Sequence, residues 1–435
     1  MKGLEKLDSI SGKKLLILGA NPETIPLVQR ANQLGVKTVV TDYTPGAPAK
    51  KFAAEHYDVD GSDVQALVEL GKRIGIDGVL VGVADRLIVP YQQVCEGLGL
   101  PCYGTKEQCE ILTDKIRFNE ECAKYGIQGI PSYEIDAQTC LSQIDALQYP
   151  ILIKPADSNS GKGMSICQRA EDVRKAIDHA LENSKSKRFL AERYMTCDDI
   201  FIFYTFVEGE CWPSIIADRF TLKEPKAGSA VCLGAVSPSK YTQLYEEKLH
   251  SKMCQMFQGL QMRNGVLMVS AFVENGEFYL YDPGFRLQGE APNLTVKEMT
   301  GFNHLDMLIY FALTGKNIYQ GKDPFQKCEQ WGRFASTIWY LLKPGEIKEV
   351  IGLEDIRADS AVFDVVARFR EGDTVLPETS GTEGQVFARV YLSCETIDEL
   401  KVKIEQLQNT LQVIDTSGNS MLLPGFSTQM LESRR

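Results

Sequence analysis

Over the first hundred residues, apolar positions fall into two alternating patterns. LLILG (15–19) is a continuous apolar run that ends in glycine, and VKTVVTD (36–42) and GVLVGV (78–83) repeat the form. Between them, Ile25, Leu27, Val28, Ala31 and Leu34 stand near helical spacing until Gly35, and a second helical pattern covers about 62–74. Runs of this length bounded by glycine predict buried strands, and their alternation with helices predicts a parallel α/β sheet. Residues 1–12 carry neither pattern and read as a short leader without fixed structure.

The middle of the chain changes character. PILIKP (150–155) predicts a strand running into a polar loop, SNSGKGMS (158–165). A helix about 171–183 and a strand, RFLAERYM (188–195), follow. VLMVSAFVENGEFYLYDP (266–283) predicts a hairpin turning at Asn275-Gly276, because a two-residue turn with both residues at positive φ favours Asn-Gly. LDMLIYFAL (305–313) predicts a helix that stops at Gly315. The last hundred residues alternate short strands with turns at Glu371-Gly372-Asp373, Ser380-Gly381 and Glu383-Gly384. Near the end, Ile397, Leu400, Ile404, Leu407 and Leu411 lie on one helical face, with Thr396 and Glu399 placed as a capping box. The changes of pattern divide the chain into 1–111, 112–318 and 319–435.

Composition narrows the functional classes. The 435 residues are 44% apolar and 24% charged, enough to bury a core, and the net charge of −11 argues against a general nucleic-acid binder. The twelve cysteines contain no C-x-x-C pair, so zinc sites and a disulfide framework are not expected and the thiols read as small core residues. No apolar run approaches the ~20 residues of a membrane span, and the start has no run of signal-peptide length, so a cytoplasmic protein without membrane partners is expected.

Few segments carry candidate chemistry. The first strand turns through Gly19-Ala20-Asn21-Pro22-Glu23, which is not G-x-G-x-x-G, and Glu23 would repel a pyrophosphate; dinucleotide binding is not expected. IKPADSNSGKGMS is more informative. Lys154 ends a strand, and Ser158, Ser160, Gly161, Lys162 and Gly163 form a loop whose N–H groups and hydroxyls could surround a triphosphate. The loop does not fit the P-loop spacing. The four histidines stand far apart, with no nucleophile context. Asp85-Arg86 follows a strand, at the sheet end where α/β folds bind ligands, and is a candidate substrate contact. Tyr310 and Phe311 read as core.

The order of these segments resembles the ATP-grasp superfamily. The resemblance is carried by Asp114-Lys115 before a helix, Lys154-Pro155 with the glycine loop, Glu192-Arg193-Tyr194-Met195 ending a strand, and Asp282-Pro283-Gly284-Phe285-Arg286. It implies an N-terminal parallel α/β pre-ATP-grasp domain, an ATP-grasp fold and a C-terminal α+β domain. It further implies ATP and Mg²⁺ as cofactors, with a carboxylate activated as an acyl phosphate and joined to an amine. In that scheme Lys115 and Lys154 contact phosphates, and the loop with Ser158, Ser160, Gly161 and Gly163 closes over them. Glu192 and the backbone of Arg193, Tyr194 and Met195 hold adenine, and Asp199 takes the ribose. Lys154 and Arg286 are the catalytic residues, and Asp282 is the metal ligand. Two positions depart from the family pattern: Ser270 stands where a Glu or Gln is usual, and Gly284 where an Asn is usual. Glu290 is a candidate substitute acid. GFRLQGEAP resembles a subgroup found near surface-polysaccharide genes, which makes amino acids or uronic acids the expected substrates, and a homodimer is a compatible assembly. The departures at 270 and 284 also suit a nucleotide-binding protein with altered catalysis.

Overall fold

A computed structural model describes residues 7–135, 144–157, 162–221, 231–320 and 331–431. The N-terminal apolar runs form a parallel sheet in the order Glu55–Tyr57, Lys37–Thr41, Lys14–Leu18, Gly78–Val81. The three long runs stand where the sequence placed them. The edge strand Glu55–Tyr57 was not foreseen, because three residues are too few to show a period. The expected leader is corrected: Leu7 and Ile10 are buried in this core, and the Gly12 N–H donates to the Gly35 carbonyl at 2.8 Å. Two apolar side chains three residues apart suffice to fix a short segment against a neighbouring helix end.

The centre of the molecule is an eight-stranded sheet. Its order is Glu277–Gly284, Gly265–Glu274, Asp198–Val207, Glu210–Thr221, Cys232–Ser237, Phe334–Leu341, Val386–Cys394, Val362–Ala367, all antiparallel. The hairpin turns at Asn275 (φ 53°) and Gly276 (φ 74°), both left-handed, as an Asn-Gly turn requires. Strands after residue 334 continue this sheet, so the ladder runs unbroken from the middle of the chain into its last quarter. The helix Ile397–Thr410 covers the far end and starts with the foreseen capping box of Thr396 and Glu399.

A smaller antiparallel sheet, in the order Ser132–Tyr133, Phe189–Arg193, Ile151–Pro155, Ser165–Cys167, packs against the helix Ala170–Glu182 around its own core of Ile151, Ile153, Val173 and Ile177. The helix His304–Thr314 lies on the N-terminal parallel sheet. There Arg30 Nε meets Asp306 at 2.6 Å and Gly78 backs onto the Ala312 carbonyl. A side chain at 78 would clash with that carbonyl, so a glycine is needed for the close approach. No helix among the described residues is long and apolar enough to cross a membrane.

His304 sits at the junction of these layers, fully buried between Phe203 and Phe302, with Nε2 2.7 Å from Thr205 Oγ1. Desolvation pushes its pKa down to about 3, so the folded protein holds it neutral. The unfolded chain takes up a proton below about pH 6.5 and the folded chain does not, so this site's contribution to stability falls as pH drops from 6.5 towards 3. Between pH 7 and pH 5 the native protein is expected to lose about 2 kcal/mol of unfolding free energy through this site. Urea unfolding of the native protein and of His304→Asn at both pH values checks it: the variant should show a shallower pH dependence, and equal slopes would exclude His304 as the cause.

Candidate active site

Asp114 accepts from the N–H groups of Ile116 (2.9 Å) and Arg117 (3.0 Å), capping the helix Lys115–Lys124 and fixing Lys115 as its first residue. The Lys115 ammonium then lies 3.1 Å from Asp282. Across the small sheet, Leu152 pairs with Glu192 and Lys154 with Leu190, which puts Lys154 and Glu192 on one face as diagonal neighbours. Lys154 Nζ and Glu192 Oε2 meet at 2.6 Å, both nearly fully buried. Desolvation opposes charge on Lys115, but Asp282 outweighs it, with help from Asp85 and Glu192, and its pKa is raised. Asp282 shows the converse: desolvation works against the carboxylate, yet Lys115 first, then Lys154 and Arg219, hold its pKa below the usual range. The segments 114–115, 154, 192 and 282 therefore come together in one cluster of charged side chains. Ser158, Ser160 and Gly161 lie outside the described residues. Gly163 (φ 78°) is packed between Asn183 and Pro155.

The last residues of the small sheet offer an open polar edge. The Arg193 N–H donates to the Pro131 carbonyl at 2.9 Å, and proline has no N–H to return to the Arg193 carbonyl. The Tyr194 N–H is spent on Pro150. The Arg193 side chain turns away to Glu274 at 2.7 Å, and Met195 is buried beside it.

Asp282 faces Ser270 across the hairpin, in register, and Met268 faces Gly284. The Ser270 hydroxyl accepts from Arg219 at 3.2 Å, and a side chain at 284 would collide with Gln288. Arg219 is the residue that the sequence reading missed. Its guanidinium donates to Ser270, to Tyr281 (3.2 Å), to Asp199 (3.5 Å) and to Glu290 (2.9 Å), and lies over the Phe201 ring. Burial opposes its charge, and Glu290 and Asp199 overcome that, so it stays cationic. Asp199 also accepts from Tyr281 at 2.9 Å, and desolvation raises its pKa to about 6. The expectation of Glu290 as a spare acid for a metal is corrected: its carboxylate is committed to Arg219. The signal was present in the strand IIADRFT, where Ile215, Ala217 and Arg219 share a face and an arginine on an apolar face demands buried carboxylates.

Arg286 does not point freely into the cleft. Its guanidinium pairs with Asp85, from the end of a parallel strand, and bonds the Leu287 carbonyl (2.7 Å) and Gln288 (3.0 Å). Beside it, Glu23 meets Arg368 at 3.4 Å and Arg389 at 3.5 Å, and Arg389 reaches Glu383 at 3.4 Å while stacking over Trp339. Gly289 backs onto Glu23 and Val83. The turn after the first strand thus carries an acid that faces arginines from the last quarter of the chain, which explains why it lacks a dinucleotide fingerprint.

Residues 114–198 match the family model for the ATP-binding domain of the carbamoyl-phosphate synthase L chain. The matched segment, which holds Lys115, Lys154 and Glu192, is similar to an ATP-grasp ATP-binding domain. A formate-dependent phosphoribosylglycinamide formyltransferase of Prochlorococcus marinus is 29% identical over 202 residues, covering 44% of this chain and 50% of that protein. The chain thus spans about half the length of the curated relatives it matches. Among solved structures, an L-amino acid ligase from Bacillus licheniformis superposes with a TM-score of 0.74 at 17% identity, covering 93% of this chain and 99% of that one. The biotin carboxylase domain of the 2-oxoglutarate carboxylase from Hydrogenobacter thermophilus, in complex with magnesium ADP, ADP and bicarbonate, gives 0.73 at 15% identity, covering 94% of this chain and 91% of that one. At these identities the likeness is one of fold.

Among the described residues no group of three His, Cys, Asp or Glu could hold a metal ion. Asp282, half-exposed, suits an ion that is carried chiefly by a nucleotide and keeps several waters. Replacing Arg219 by Met should leave Asp199 and Glu290 buried without a cation, at a cost of roughly 3–5 kcal/mol. Adding Asp199→Asn and Glu290→Gln should recover part of it. Urea midpoints of the single and triple variants decide: a single variant as stable as the native protein would show that the guanidinium does not hold these strands together.

Proposed function

We propose that this protein is an ATP-dependent ligase that activates a carboxylate as an acyl phosphate and joins it to an amine. The observation that carries the proposal is the convergence of Lys115 and Lys154 with Asp282 and Glu192 in one cleft, with the Asp85–Arg286 pair beside it. Residues 112–318 hold the nucleotide, 1–111 supply the strand ends of the acceptor side, and 319–435 bring Arg368, Arg389 and Glu383 to it. The Arg193 carbonyl and the Met195 N–H are the adenine-facing groups, Glu192 lies beneath them, and Asp199 stands at the ribose side.

The chemistry follows from charge. A carboxylate repels nucleophiles; transfer of the γ-phosphoryl to one of its oxygens releases ADP and leaves an acyl carbon with a good leaving group. The amine nitrogen then attacks that carbon, its proton is lost to solvent or a base, and inorganic phosphate departs. Phosphoryl transfer depends mainly on positioning and neutralisation, which the ammonium groups of Lys115 and Lys154 supply once phosphate oxygens compete for them with Asp282 and Glu192. Magnesium, when bound through Asp282, adds neutralisation of the triphosphate charge. Arg286, released from Asp85 or shared with it, stabilises the transferred phosphoryl.

A second reading has one observation in its favour. Ser270 is occupied by Arg219 and Gly284 has no side chain, which leaves a single carboxylate for metal. Under that reading the chain binds ATP without ligase turnover.

Phosphate release should require ATP, magnesium, a carboxylate and an amine together, and a screen of amino acids and uronic acids identifies the pair. ATP binding by calorimetry without turnover for any pair would favour the second reading. Asp282→Asn should lower turnover by about two orders of magnitude or more with an unfolding midpoint near that of the native protein. Full magnesium-dependent activity in that variant would place the metal elsewhere. Arg286→Ala should lower turnover more than ATP affinity, since its contribution is made in the transition state; a pure affinity loss in the same assay would move Arg286 out of the reacting centre.

A further inference from the structure

A second reactive constellation lies far from the cleft. The strand Glu210–Thr221 begins at the opposite end from Arg219, and Cys211 is its second residue. The helix His250–Gly259 packs there, and its first residue, His250, is one turn from Cys254. The Cys254 sulfur lies 3.6 Å from His250 Nε2. Nδ1 of the same ring lies 3.3 Å from the Tyr245 hydroxyl, which is 3.0 Å from the Tyr204 hydroxyl. The Cys211 and Cys254 thiols are close enough to interact with each other. Cys211 and Cys254 are half-buried, whereas Cys95, Cys109, Cys122, Cys167 and Cys232 are buried.

We propose that Cys254 and Cys211 form a redox-active dithiol, with Cys254 the peroxide-reactive sulfur, His250 its imidazole partner and Cys211 the resolving thiol. Geometry supplies each part. A ring nitrogen against the sulfur stabilises the thiolate, the tyrosine hydroxyls fix the ring, and the second thiol is already in contact. The electrostatics agree. The Cys211 hydrogen bond first, then His250, bring Cys254 down to about 5, against desolvation and the nearby Glu246 carboxylate. Desolvation raises Cys211 well above an ordinary thiol, so the pair holds one thiolate and one thiol. The Cys95–Cys102 pair also shares a hydrogen bond, but Cys95 is buried and the group acting beside it is Tyr91 rather than a histidine.

The chemistry balances with hydrogen peroxide as the two-electron oxidant. The Cys254 thiolate attacks one peroxide oxygen, the O–O bond breaks, and the departing hydroxide takes up a proton to become water. The resulting sulfenic acid is attacked at sulfur by Cys211. The Cys211 proton passes to the departing hydroxyl, a second water leaves, and the S–S bond forms. Two thiols are oxidised and one peroxide is reduced. The disulfide fastens the helix His250–Gly259 to the first residues of a central strand.

The test uses the full-length protein. Iodoacetamide at pH 6 should alkylate Cys254 about tenfold or more faster than Cys197 and Cys394, two half-buried thiols raised by desolvation, and the rate should fall as pH drops through 5. Stoichiometric peroxide followed by non-reducing trypsin digestion should join peptide 194–219 to peptide 253–263, with fragment ions assigning the link to Cys211 rather than Cys197. In Cys211→Ser, dimedone should trap a sulfenic acid on Cys254; in Cys254→Ser, neither adduct nor link should form. His250→Gln should slow alkylation of Cys254 at pH 6 without moving the Cys197 rate. Equal alkylation rates across these thiols, or a peroxide-treated protein without the Cys211–Cys254 link, would overturn the proposal. None of these readouts depends on ATP turnover.

Discussion

Burying the Arg219 guanidinium inside an antiparallel sheet is the constraint around which the rest of the cleft is arranged. A buried guanidinium needs anions at close range. Here they come from Asp199 on the neighbouring strand and Glu290 in the loop after the hairpin, with Ser270 and Tyr281 completing the set. Those contacts fix how the hairpin Gly265–Gly284 lies against the strand Asp198–Val207, and so where Asp282 stands relative to Lys115. The same commitment decides the chemistry of positions 270 and 290. Both already face a cation that is covalently part of the chain.

The cleft is consequently a balanced set of charges. Each ammonium that could attract phosphate already has a carboxylate: Lys115 has Asp282, and Lys154 has Glu192. Such pairing lowers the cost of carrying charged groups into a folded interior. It also means that any anion approaching these ammonium groups competes with carboxylates already in place. The pattern repeats where the turn after the first parallel strand meets the last quarter of the chain, with Glu23 and Glu383 against Arg368 and Arg389.

Much of this was legible in the sequence where the signal is local. Apolar runs bounded by glycine gave three of the four parallel strands. Asn275-Gly276 gave the hairpin, and Thr396 with Glu399 gave the start of the last helix, because each depends on backbone geometry within a few residues. Lys115, Lys154 and Glu192 were found because they stand at element ends in a recurring order. The strands Asp198–Val207 and Glu210–Thr221 went unassigned, since one is apolar without a break and the other carries charges that hide its alternation. Arg219 was missed for the same reason. The partnership of Arg286 with Asp85, 201 positions apart, and that of Glu23 with Arg389 depend on how separate layers meet, and no short pattern encodes that. Leu7 and Ile10 show the opposite error: two apolar residues in a polar stretch looked like noise and are core.

The unbroken ladder across the large sheet has a mechanical consequence. Strands Cys232–Ser237 and Phe334–Leu341 are hydrogen-bonded neighbours, so the centre of the molecule and its last quarter behave as one stiff plate. Bending that plate would break ladder bonds one after another. The small sheet is different: it has a separate core and shares no strand ladder with the plate among the described residues, joining it through residues 194–197 and the bridge of Gly129 to Leu280. Bending between the two sheets therefore breaks fewer backbone hydrogen bonds than bending within the plate.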